Sequence, residues 1–364
     1  MIEDDSLNPF LHLSLLQMSK VLRILLSGNA MKKNRLFPWF SLIIFLIIIL
    51  FGVSILSLCT GSAAIPLKNI FDIALFGKGT TEYSILFDIR LPRIILGLAI
   101  GGGLSLAGVI LQGLFRNPLV EPYTLGISGG AALGVALSVV LGWHSTFSLL
   151  ILPISGFSGA IIVIIILYIL SMRRGRMKIE GLLLIGVMIS FISSSLIMLI
   201  MSVSRVETFQ QIIFWMMGCL EESNWSLIRL AVCISFLGLL ISLFFAIPLN
   251  ALSLGEEEAL HLGVDIEKTK RILFLLASLL TGFSVSVVGV IGFVGLVIPH
   301  LLRLFVGQDH RILLIASFLV GGSFLILCDT LARTIISPLE LPVGVITGIF
   351  GGSLFVYLFC KKNV

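Results

Sequence analysis

Charge is what this sequence has least of. Asp, Glu, Lys and Arg together make up 12% of its 364 residues, about half the share usual in soluble domains. Hydrophobic residues account for 58% and the mean hydropathy is +1.15. So little polar surface cannot cover a water-facing globule, which excludes a soluble fold and requires an integral membrane protein. Cysteine is sparse as well. Cys59, Cys219, Cys233, Cys328 and Cys360 lie far apart, without a C-x-x-C pair or a nearby His to complete a zinc site, and read as small apolar packing residues. The sequence has no G-x-x-x-x-G-K-[ST] phosphate loop; "GKGT" at 77–80 is a glycine-flanked turn. Carboxylates that could serve as intramembrane relays are few. Asp329 and Glu340 fall near outer helix ends and Glu121 near an inner one. Paired aspartates and clustered histidines are missing, which argues against an intramembrane protease or a metal enzyme. A conduit driven from outside itself fits these absences, and a catalyst does not.

Long apolar runs are what the sequence has in plenty. A bilayer-spanning helix needs about 20 apolar residues. Candidate spans fall at 38–58, 92–112, 123–142, 148–170, 181–203, 226–248, 272–292, 294–306, 311–333 and 342–360. The eighth is short, and "VIGFVGLVI" at 290–298 could join it to its neighbour. A further piece, 207–219, is too polar to span and reads as an outer half-helix. Ten crossings put both termini on one side. The segments of that side hold Lys20, Arg23, Lys32, Lys33, Arg35, Arg116, Arg173, Arg174, Arg176, Lys178, Lys268, Lys270, Arg271, Arg303, Arg311, Lys361 and Lys362. The opposite loops hold only Lys68, Lys78, Arg90, Arg93, Arg205, Arg229 and Arg333. This bias marks the first side as inside. Small residues recur four apart at Gly97, Gly101 and Ser105, at Gly130 and Gly134, and at Gly344, Gly348 and Gly352, the spacing that lets membrane helices approach closely. The expected fold is all-α: about ten transmembrane helices in one compact bundle. Residues 1–30 differ in character and read as an extension, with 31–364 as a single transmembrane domain.

The longest inner loop is residues 248–271, "PLNALSLGEEEALHLGVDIEKTKR". Three glutamates after Gly255 favour a helix start through the helix dipole, and Gly263 suits its end. The pattern predicts a short amphipathic helix facing the cytoplasm, with a solvated loop as the alternative.

At these residues the chain resembles a known family. "RLPR" (90–93), "GLFRNPLVEPYTLGISGGAALG" (113–134), "WMMG" (215–218), "LSLGEEEALHLGV" (252–264), "GFVGLVIPHLLRLFVGQDHR" (292–311), "DTLAR" (329–333) and "ELPVGVITGIFGG" (340–352) are similar, in order and spacing, to the permease subunits of type II ABC importers for iron-siderophores, haem and cobalamin. The resemblance implies a homodimer in a bacterial inner membrane with both termini cytoplasmic. It also implies two cytoplasmic ATPase subunits and a soluble or lipid-anchored binding protein at the outer face. ATP and Mg would be held by the ATPase, and this chain would bind no cofactor, metal or nucleic acid. Glu256, Glu257, Glu258, Ala259, Leu260, Leu262 and Gly263 match the helix that couples to the ATPase. Asn117 and Leu119 match the inner gate. Arg90, Arg93 and Arg333 match arginines that grip the binding protein, although Asp329 and Arg333, four apart, could instead pair with each other. For Arg90 and Arg93 no acid lies at helical spacing between them. The family's path runs along the fifth helix, where Ser190, Ser194, Met198 and Met201 share a face; ordinary helix packing is the alternative. The cargo implied is a bulky iron chelate, a siderophore first, then haem or cobalamin. An ion-coupled transporter without an ATPase is the competing class.

Overall fold

The computed structural model describes residues 36–61, 63, 65–143, 150–173, 176–222 and 224–362. The expected extension, 1–30, lies outside them. Residues 46–364 form one compact unit. Of the unit before it, only the first turns of one helix are described.

The helices, in chain order, are α1 (Leu36–Cys59), α2 (Leu67–Phe76), α3 (Thr81–Ser84), α4 (Leu91–Leu114), α5 (Ile127–Val140), α6 (Ile151–Ser171), α7 (Ile179–Val203) and α8 (Val206–Met216). They continue with α9 (Trp225–Phe244), α10 (Ala246–Leu254), α11 (Glu256–His261), α12 (Ile266–Val288), α13 (Val294–Val306), α14 (His310–Thr334) and α15 (Val343–Lys362). Each expected span therefore has a helix. Seven are long and apolar enough to cross a membrane, and α5, α13 and α15 are shorter apolar helices. The protein is a multi-pass membrane protein. The half-helix expected at 207–219 is α8, and the expected cytoplasmic helix is α11.

α4 is the axis of the bundle. It packs against α14, α12, α9 and α13, and 89% of its most apolar window is buried. Its small residues explain this. A Cβ on Gly101 would stand 2.4 Å from the Gly321 carbonyl oxygen of α14, and one on Gly108 would stand 1.9 Å from that of Gly295 on α13. Backbone meets backbone at both places, which apolar side chains would prevent. Gly130 and Gly134 do the same for α5 against α6. In the third expected ladder only Gly344 is pressed against a neighbour's backbone, while Gly348 faces open space.

Several boundaries differ from the sequence reading. The sixth span stops at Phe244, and the chain bends at Phe245 before α10, so the expected loop from 248 begins inside a helix. The third span starts late: Pro122–Leu125 forms a 3-10 turn, and Gly126 takes a left-handed conformation (φ 76°) before α5. The run at 290–298 is interrupted. α12 ends at Gly289 (φ 75°) and α13 begins after Phe293, itself left-handed at φ 68°. The outer loop after α1 contains α2 and α3, neither expected from the sequence. A π turn at Ile85–Arg90 joins α3 to α4.

Candidate functional site

The inner hairpin between α4 and the 3-10 turn is built by local hydrogen bonds. Asn117 Oδ1 accepts from the Leu119 N–H at 2.9 Å, a side-chain turn that fixes the chain reversal. Arg116, at φ 50°, takes the left-handed step that the reversal needs. Leu119 is then left 48% exposed at the tip. Just behind it, Glu121 and Tyr123 point into the protein. Glu121 Oε1 accepts from the Phe293 N–H at 2.6 Å, and the Tyr123 hydroxyl oxygen accepts from the Ile291 N–H at 3.2 Å. Together they satisfy the backbone set free between α12 and α13, which a low-dielectric interior requires. Burial pushes the Glu121 carboxyl above the usual carboxylate range, opposed by the Phe293 N–H. Gln112 completes the seam. Its Nε2 donates to the Gly295 carbonyl at 3.1 Å, and its Oε1 accepts from Arg303. In the sequence Glu121 stands out as a carboxylate near an inner helix end, with no partner visible. The only signal was the pair Gly289 and Gly292 beside an ambiguous apolar run.

α11 stands as a separate short helix. Gly255 (φ 146°) opens it, where a Cβ would meet the Glu258 carboxylate. Gly263 (φ 78°) closes it. Its N–H donates to Leu260 O, and the Val264 N–H donates to Ala259 O; this crossed pair of bonds satisfies the last carbonyls. Ala259 is fully buried underneath. Glu256 forms a 2.7 Å ion pair with Lys270 of α12, whose side chain is only 5% exposed. Glu257 and Glu258 are exposed, and Leu260 and Leu262 are each 65% exposed. The result is an anchored helix presenting leucines and glutamates outward.

At the opposite end the three expected docking arginines are buried. The Arg90 guanidinium donates to the carbonyls of Leu58 and Ala63. Arg93 pairs with Glu340 at 2.8 Å, with Glu221 at 3.4 Å and with Asp329 at 3.7 Å. Arg333 Nε donates to Asp329 at 2.9 Å, and its Nη2 donates to Ser57 Oγ at 2.9 Å. The arginines expected to dock a binding protein, Arg90, Arg93 and Arg333, are thus each held by internal partners. The alternative seen in the sequence, pairing of Asp329 with Arg333, is what occurs. Arg93 does find acids, but on other elements.

The fifth expected span, α7, has only 17% of its apolar window buried. Ser194 and Met198 are exposed on it. Ser190 is half-buried, with its hydroxyl donating to Gly186 O, and Met201 packs onto the cluster of Ala132, Val135 and Ile212. The four residues share a face, but only its middle is open.

The match to known proteins decides the family. The FecCD transport family model matches residues 46–361. The chain belongs to the FecCD transport family. Among curated FecCD relatives, it is 38% identical over 310 residues to the hemin transport permease HmuU of Yersinia pestis, covering 84% of this chain and 92% of that one. It is 36% identical to the Fe(3+) dicitrate permease FecD of Escherichia coli, covering 89% and 99%. It is 39% identical to the cobalamin import permease BtuC of Halobacterium salinarum, covering 79% and 77%. Among solved structures, an inward-facing conformation of a metal-chelate type ABC transporter superposes with a TM-score of 0.77 at 32% identity, covering 89% of this chain and 99% of that one. The FecCD match spans the Asn117 hairpin, α11 and the arginine cluster alike.

Proposed function

We propose that this FecCD permease is the membrane-spanning subunit of an ABC importer that moves a bulky iron chelate inward, a siderophore first, then haem or cobalamin. It works as a homodimer in a bacterial inner membrane, with both termini cytoplasmic. Two ATPase subunits on the cytoplasmic side hold ATP and Mg and supply the energy. The observation that carries this reading is α11. A six-residue helix with outward leucines among glutamates, anchored through Glu256 to a buried lysine, suits a protein groove better than water or lipid. Relatives that import hemin, ferric dicitrate and cobalamin support the cargo class.

A binding protein arriving at the outer end meets Glu221 and Glu340, the exposed members of the Arg93 cluster. To reach Arg93 it must exchange its own carboxylates for theirs. The path then runs along the open middle of α7, past Ser194 and Met198, to Asn117 and Leu119. Mixed polar and sulfur-bearing walls hold a large ligand weakly enough to release it.

Co-purification tests the coupling surface. The double variant Leu260→Glu, Leu262→Glu leaves the bundle intact and loses the ATPase from the detergent-solubilised complex. Retention of the ATPase at the unaltered level would show that α11 is not its seat.

A further inference from the structure

Beyond α11 itself, a half-buried polar junction lies beside the proposed gate. α10 ends at Leu254, one residue before Gly255 and α11, so the two short helices form one jointed arm. Asn250 of that arm is bonded to His310, the first residue of α14. Its Oδ1 accepts from the His310 backbone N–H at 2.8 Å and from the ring Nδ1 at 2.7 Å, while its Nδ2 donates to Asp309 Oδ1 at 3.0 Å. The acceptor at Nδ1 assigns the neutral ring its Nδ1–H tautomer. Asp309 also caps α14 through the Arg311 N–H at 3.1 Å and pairs with the Arg311 guanidinium at 2.6 Å. Burial alone would raise the Asp309 carboxyl, but the hydrogen bonds from Arg311 and Asn250 hold it at about 2, so it stays charged and keeps its grip.

The other edge of the ring meets α4. His310 is 3% exposed, and its Nε2 has no hydrogen-bond partner. A Cβ on Gly113 would stand 3.0 Å from that nitrogen and 2.8 Å from Leu249 Cδ1 of the arm. Bare backbone in the last turn of α4 is thus wedged between Leu249 and the histidine. Asn117, in the gate hairpin, follows four residues later. Its own N–H bonds back to Gln112 O at 3.2 Å, so the hairpin is tied to that same turn.

We propose that Leu249, Asn250, His310 and Gly113 form the linkage through which displacement of the coupling arm reaches the inner gate, with Asn250 and His310 as positioning residues. The proposal rests on the ABC importer reading above. Three directional hydrogen bonds from one side chain, two of them to the buried His310, stop the arm from sliding over α14. Leu249 and the His310 ring bear directly on the Gly113 backbone, so no side chain on α4 yields when they are pushed. The Glu256–Lys270 pair ties the arm to α12 in the same way.

The test uses the full complex of permease, ATPase and binding protein in proteoliposomes, reading ATP hydrolysed per cargo molecule delivered. Asn250→Ala removes both bonds to His310. His310→Asn keeps an amide donor for Asn250 but withdraws the ring from Gly113. Both are expected to retain the ATPase and raise the ATP cost per molecule about 3- to 30-fold, the range single residues on a transmission path produce. Loss of stability alone lowers the amount of active complex and leaves that ratio unchanged. An unaltered ratio in His310→Asn overturns the linkage, whatever Asn250→Ala does, and decides the matter if Asn250→Ala fails to assemble. Failure of the ATPase to associate with the unaltered permease overturns the importer reading itself, a separate and visible outcome.

Discussion

The two ends of the bundle use charge in opposite ways. At the outer end Arg90, Arg93 and Arg333 turn inward and are consumed by carbonyls, carboxylates and a serine from α1, α14 and the loops beside them. At the inner end the arm itself is paired at its base, through Glu256 and Asn250, while Leu260, Leu262, Glu257 and Glu258 face outward. One end is a clamp that fixes the helices; the other presents the short helix that the proposed function makes a handle. Buried charge held by several partners resists rearrangement, whereas a helix anchored only at its base can be moved as a body.

The clamp should break most severely at its shared carboxylate. Asp329, with its side chain 3% exposed, serves both Arg93 and Arg333, so Asp329→Ala leaves two buried guanidiniums short of a partner. We expect a stability loss of about 3–5 kcal/mol, read as a large drop in the melting midpoint in detergent. A smaller effect is expected in the middle of the bundle. Gly108→Ala places a methyl 1.9 Å from Gly295 O, and relieving that clash costs about 1–3 kcal/mol. Glu340→Gln should cost less than about 1 kcal/mol, because Glu340 is 37% exposed and Arg93 keeps Asp329 and Glu221. At the handle, Leu260→Ser should change stability by less than about 0.5 kcal/mol, a small shift in the melting midpoint, yet weaken retention of the ATPase. A midpoint loss for Leu260→Ser as large as that for Asp329→Ala would erase the distinction between the two ends.

The handle was legible in the sequence because its signals are local. Gly255, three glutamates and Gly263 lie within nine consecutive positions, and each acts through neighbouring backbone. The ten apolar helices were legible for the same reason, since span length and loop charge are properties of contiguous segments. The clamp was not. Arg93 and Glu340 are far apart in the chain, and Arg90 is held by carbonyls, which no residue pattern records. Helical spacing therefore reported the Asp329–Arg333 pair and missed the rest. The helix break at Gly289–Phe293 was half-legible: the glycines were visible, but Glu121 and Tyr123, which satisfy its backbone, come from a hairpin more than 150 residues earlier.

The central claim is that this permease is moved from outside through its inner handle. The direct test is uptake of a ferric chelate into proteoliposomes holding the permease, its ATPase subunits and its binding protein, with ion gradients collapsed. The account predicts uptake that depends on ATP hydrolysis and is abolished by Leu260→Glu with Leu262→Glu. Uptake driven by an ion gradient with no ATPase present would contradict it.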